Sequence, residues 1–206
     1  MRITDGGRRS AAVFPSAIIH FGALLPLCVL AWRAWRGDLT FNPIQAVIQS
    51  SGRTAVHLLL LSLAATPAAL LLRMPILTSV RRPLGLYAFA WAALHMFTFA
   101  VVDFGLNLPR IASELREKAY LWFGLLAFGL LLSLAITSTR GWQKRLGRRW
   151  KILHRTAYFA AALALLHFQA SQKAEINMVV VYYAPLLAVL LILRLPTLRK
   201  ALAARR

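Results

Sequence analysis

The sequence predicts an all-α membrane protein: a bundle of six transmembrane helices, N-in and C-in. Three observations carry this. Hydrophobic residues make up 59% of the 206 residues and mean hydropathy is +0.62, where a soluble domain sits near 45–50% apolar. Six apolar runs, near residues 13–32, 54–72, 84–102, 120–137, 152–170 and 178–195, have lengths suited to about 30 Å of hydrocarbon. Basic residues gather in alternate loops.

The chain has room for one such domain over residues 1–206, without an added soluble domain of ordinary size. The net charge of +19 would suggest nucleic acid in a soluble chain. In so apolar a chain, Lys and Arg in short loops are topology signals, and no nucleic-acid partner is expected. The lone Cys28 can form neither an internal disulfide nor a zinc site, and reads as a buried small hydrophobe. No internal repeat and no low-complexity linker is expected.

The first run, 13–32, holds His20 and Pro26. Arg8-Arg9 before it weakly resembles a twin-arginine signal, but the run is too long and no A-x-A pattern follows. The next loop carries the turn formers Gly37, Asp38, Asn42 and Pro43, with a short surface helix expected over 45–51. The second run begins near His57 and contains Pro67. A link with two prolines and three arginines, residues 73–83, precedes the third run, which holds His95 past its middle. A polar segment covers 103–118. The fourth run has no ionisable side chain except Tyr120. A densely basic loop over 138–151 leads to the fifth run, with His154, Arg155 and His167. A short link with Lys173 and Glu175 reaches the sixth run, whose Pro185 is tolerable within a membrane helix.

Charge orients the bundle. With the termini inside, 17 basic residues lie inside and 7 outside, and five of the six acids lie outside. The positive-inside rule therefore gives N-in, C-in.

Orientation turns position into depth. His95 and His167 both fall in the outer half, while His154 falls near the inner face. Thirteen positions separate His154 from His167, about 20 Å along a helix. Ionisable groups at such depths point to function. His95 and His167 could face one iron from opposite sides. Two axial imidazoles close both positions, which suits electron transfer by haem. His154 lacks an evident partner: position 81, about four turns before His95, is arginine, and His20 is the remaining candidate by depth. An ideal helix sets His154 and His167 about 140° apart, so tilt or a π-bulge would have to bring both inward. Otherwise only one is a ligand. The blander alternative for each histidine is an interhelical hydrogen bond.

Arg81, Arg82, Arg149 and Arg155 gather toward the inner face, as topology and lipid phosphates require. Arg155, inside an apolar run, could pair with a haem propionate or snorkel. Trp142 and Trp150 read as interfacial anchors. Met96 and Met178 read as packing. The basic loop could receive the phosphate of flavin mononucleotide or dock an acidic reductase. A transporter or proton pathway without haem is the alternative; it predicts acids within the spans, and all six lie outside them or at their edges. A structural anchor without cofactor is the third reading. No GxGxxG-type phosphate motif is present, so no NAD(P)H site is expected and the chain is read as an electron-transfer subunit rather than a catalytic one.

HFGALLP at 20–26, SGRTA at 51–55, RRPLGLYAFAWAALH at 81–95 and TSTRGWQKRLGRRWKILHRTAY at 137–158 resemble the MsrQ (formerly YedZ) family over nearly the whole chain. That family belongs with the ferric-reductase-like transmembrane proteins, related to NADPH oxidase and STEAP membrane domains. The resemblance implies b-type haem, one or two groups, with His95 and His167 as the outer pair and His154 as the inner ligand of the fifth span. Arg81 departs from the two-haem pattern. The resemblance further implies bound flavin mononucleotide (FMN) and electrons from the quinone pool or a cytosolic flavin reductase. It implies as acceptor a periplasmic molybdopterin methionine-sulfoxide reductase, MsrP, which repairs oxidised proteins, and a place in the bacterial inner membrane.

Overall fold

The computed structural model describes the backbone of residues 6–172 and 179–193 and the side chains of 17–172 and 181–193. The described residues are helical, joined by short turns. Helix α1 spans Gly6–Trp35 and α2 spans Pro43–Leu71. Asn42 starts α2 by accepting a hydrogen bond from the backbone of Gln45, with Pro43 in the first turn. This cap lengthens the second helix well beyond the expected 54–72 and absorbs the surface helix expected over 45–51. His57 therefore sits in mid-helix rather than at the outer start.

Helix α3, Arg81–Phe97, runs on into a π-turn over Thr98–Asp103. Gly105 and Leu106 take left-handed conformations, and Asn107 caps the short α4, Leu108–Glu117. One face of α4 is apolar and the other charged. It meets α5, Tyr120–Ile136, at 113°. The basic loop folds in part as α6, Arg140–Leu146. Gly147, at φ 50°, makes the left-handed turn into α7, Arg148–Ser171. A π-turn over Val179–Tyr183 leads to α8, Ala184–Ile192. The Lys173–Glu175 link, Met178, the outer ends of the sixth run and the basic C-terminal tail lie outside the described residues, as do the side chains of Arg8 and Arg9.

Three stretches are long and apolar enough to cross a membrane: Ala17–Trp35, Pro43–Leu71 and Pro75–Asp103. The bent pair α4–α5 makes a fourth if it is taken as one span. Helix α7 has 24 residues, but Arg148, Arg149, Lys151 and Arg155 load its first two turns. Helix α8 is short. The chain is a multi-pass membrane protein. Its surface fits that medium: Phe21, Trp32, Leu61, Phe97 and Phe159 are all exposed. Cys28, expected to be buried, also faces outward.

The centre is made of two antiparallel helix pairs. In α2 and α3, Ile48 lies beside His95 at one end, and Ser62 bonds the carbonyl of Arg81 at the other. In α5 and α7, Tyr120 lies beside His167 and Thr137 beside His154. Small residues let the pairs close: Ala88 and Ala160 are fully buried. Helix α1 is fastened to α3 by the indole N–H of Trp91, which donates to the carbonyl of Ala23 at 2.9 Å. Tyr183, just before α8, reaches His57 on α2 at 2.6 Å.

Candidate functional site

His95 and His167, expected at one depth, meet. Their ring centroids are 6.0 Å apart and the planes are nearly perpendicular, at 85°. Nδ1 of His95 lies 2.9 Å from the carbonyl oxygen of Ile48, and Nδ1 of His167 lies 2.9 Å from that of Tyr120. A carbonyl only accepts, so each Nδ1 carries the proton. Each Nε2 is then left with a lone pair, the form that binds a metal.

Both rings line a cavity of about 370 Å³ between α2, α3, α4, α5 and α7. Val56, Leu59, Phe128 and Leu131 form its apolar depth. Gln45, Arg53, Asp103, Lys118 and Gln172 supply its polar lining. Glu114 and Lys118 of that lining form an ion pair one helical turn apart. The hydrogen bond to Glu114 is the main cause that raises the Lys118 pKa above its ordinary range.

Two further residues shape the site, and neither was singled out from the sequence. A Cβ at Gly52 would lie 2.9 Å from Nδ1 of His95, and a Cβ at Gly124 would lie 2.7 Å from Nδ1 of His167. The two constellations have the same spacing: Ile48, Gly52 and His95 recur 72 positions later as Tyr120, Gly124 and His167. YAFAWAALH at 87–95 recurs as FAAALALLH at 159–167. An internal repeat is thus present where none was expected. It is faint because only the histidine, three alanines and a leucine coincide, and LSLAAT at 61–66 returns as LSLAIT at 132–137 one residue out of step.

His154 is elsewhere. Its ring stacks on Trp150 at 4.0 Å, and its Nε2 lies 3.3 Å from the Thr137 hydroxyl, which itself donates to the carbonyl of Ser133. The expected candidate partner, His20, instead bonds the hydroxyl of Tyr87 at 2.7 Å. Helix α7 is regular throughout its length; the π-turns fall at the end of α3 and just before α8. The 140° offset between His154 and His167 is therefore not relieved by a bulge. Arg155 is exposed, whereas Arg82 donates to Ser138. Trp142 carries Arg145 over its ring, and Trp150 donates to the carbonyl of Thr137.

The model of the ferric reductase like transmembrane component family matches residues 51–165. The chain is 37% identical over 171 residues to the protein-methionine-sulfoxide reductase heme-binding subunit MsrQ of Klebsiella pneumoniae, covering 82% of this chain and 85% of the relative. It is 37% identical over 175 residues to the protein of the same name from Caulobacter vibrioides, covering 84% and 83%. With that of Salmonella paratyphi B it shares 38% over 173 residues, covering 84% and 87%. On these matches, the chain belongs to the MsrQ family of ferric-reductase-like transmembrane proteins.

Proposed function

We propose that this chain is the haem b electron-transfer subunit of a protein-methionine-sulfoxide reductase system, with His95 and His167 as the axial ligands of one haem. The observation that carries this is the facing pair of imidazoles, 6.0 Å between centroids, each with its Nδ1 proton tied to a carbonyl. Two nitrogen–metal bonds of ~2 Å separate the centroids of opposed imidazoles by roughly 6 Å. Perpendicular planes are compatible with this, since each can contain the metal–nitrogen axis. A haem held between His95 and His167 would supply a one-electron centre. Much of the lining is apolar, and Arg53, with Lys118 beside its partner Glu114, would offer cations to the haem carboxylates.

In the same reading the bundle crosses the bacterial inner membrane six times, N-in and C-in. Helix α5, with 17 residues, meets the lower length for a span. Helix α7 spans with its basic first turns at the inner face. Electrons come from the quinone pool or a cytosolic flavin reductase and leave to the periplasmic molybdopterin subunit MsrP. The basic residues around α6 offer cations to the phosphate of FMN. His154, engaged with Thr137 and Trp150, is not counted as a ligand of the outer haem.

Purified protein is expected to show a Soret band and dithionite-reducible b-type bands, at one haem per chain by pyridine haemochrome. His95→Ala and His167→Ala are each expected to remove it. A colourless, correctly folded protein sinks the proposal.

A further inference from the structure

We infer that Gly52 and Gly124 are positioning residues for the two imidazoles, each opening one helix carbonyl to a histidine. The inference rests on the reading of His95 and His167 as axial ligands.

In a helix the carbonyl of residue i accepts from the N–H of residue i+4. Side chains tilt toward the helix N-terminus, so the Cβ at i+4 leans over the turn that holds this carbonyl. Gly52 stands four residues after Ile48, and Gly124 four after Tyr120. At both places the missing Cβ leaves a gap, and an imidazole fills it. Its Nδ1–H reaches the carbonyl at 2.9 Å in each case. A methyl group at Gly52 would stand 2.9 and 3.1 Å from Nδ1 and Cε1 of His95. At Gly124 the corresponding distances to His167 are 2.7 and 2.8 Å. Neither helix backbone is left-handed at these positions, so the glycines are not required by the turn of the chain. What requires them is the ring. The same device occurs twice, 72 residues apart, once in each helix pair.

The consequence is chemical as well as steric. With the ring pushed back, Nδ1–H loses its carbonyl, and both the tautomer and the aim of Nε2 are no longer held. Loss of such a supporting hydrogen bond to a metal-binding histidine typically weakens binding ~10–100-fold. Gly129, on the same helix as Gly124, has nothing within 4 Å of its would-be Cβ. It is the natural control.

The test compares Gly52→Ala, Gly124→Ala and Gly129→Ala in the purified, haem-loaded protein. Haem retention, midpoint potential, ferric low-spin EPR and thermal unfolding are measured. Gly52→Ala and Gly124→Ala are expected to retain haem ~10–100-fold more weakly, with shifted potential and EPR, and Gly124→Ala to suffer more. Gly129→Ala is expected to match wild type or unfold at higher temperature. Each glycine variant is also made in both histidine backgrounds. The loss of thermal stability in Gly52→Ala should vanish with His95→Ala but persist with His167→Ala; for Gly124→Ala the pattern reverses. This pattern holds even where a single glycine variant folds poorly, because removing the partner ring should restore folding. Two results overturn the inference: Gly52→Ala and Gly124→Ala behaving as Gly129→Ala, or a loss of stability indifferent to which histidine is removed. A wild-type chain that takes up no haem overturns the ligand reading instead, and is seen separately from the stability pattern.

Discussion

Trp91 stands one turn before His95 on α3 and is 4% exposed. Its indole N–H is the donor that ties α3 to the carbonyl of Ala23 on α1, at 2.9 Å. The position 72 residues later is Leu163, also buried, so Trp91→Leu substitutes the residue the repeat itself uses. Two losses follow. The interhelical hydrogen bond contributes ~1 kcal/mol within a membrane. An indole exceeds an isobutyl group by roughly 60 Å³, which at ~24 cal/mol per Å³ of residual cavity costs ~1.5 kcal/mol. Together they amount to about 2.5 kcal/mol, or a fall of about 5–10 °C in Tm for a chain of this length. The assay is thermal unfolding in detergent, followed by circular dichroism and by the Soret band. Haem content should stay at the wild-type level, because His95 and its Ile48 carbonyl are untouched. Trp122→Leu supplies the comparison: its indole donates to Leu115, but the residue is half exposed, so the cavity cost is absent. A fall below 1 °C for Trp91→Leu, or an equal fall for both, would refute the assignment of Trp91 as the clamp between α1 and α3.

Four other outcomes are expected. Leucine at Ala88 or Ala160, both fully buried, should overpack the helix pairs and cost about 1–3 kcal/mol, read as a lower Tm. Asn42→Ala should remove the cap that starts α2 and cost about 1 kcal/mol, while leaving the haem spectrum unchanged. If His95 and His167 hold the haem as proposed, His154→Ala should leave it at full occupancy; a colourless His154→Ala protein that remains folded would contradict that reading. Tyr183→Phe should loosen the contact between Tyr183 and α2 by removing the partner of His57, costing ~1 kcal/mol or less. Hydrogen exchange at residues 184–192 reads that loosening.

Helicity, membrane residence and the pairing of His95 with His167 were all legible in the chain. Each is written as a local property: runs of apolar residues, basic residues gathered in particular loops, and one histidine at a matching place in each of two apolar runs. The family was legible too, through contiguous segments such as RRPLGLYAFAWAALH. The start of α2 was not. A polar stretch after Pro43 reads as surface until the Asn42 cap and the packing of Ile48 and Ser51 draw it into the helix. Hydropathy averages over such a stretch, whereas a helix needs only a cap and a neighbour.

What tertiary structure alone decided is the surroundings of each histidine. His20, His57 and His154 are as prominent in the sequence as the central pair, yet they bond Tyr87, Tyr183 and Thr137. Those partners lie 67, 126 and 17 positions away, beyond the reach of any helical period. Gly52 and Gly124 were silent for the same reason. A glycine in an apolar helix carries no chemistry of its own, and its role here is a space that another helix's imidazole occupies. By itself the chain determined that two imidazoles would lie at one level of a membrane bundle. Only the packing of α2 against α3, and of α5 against α7, decided which carbonyls hold them and why a methyl group has no room there.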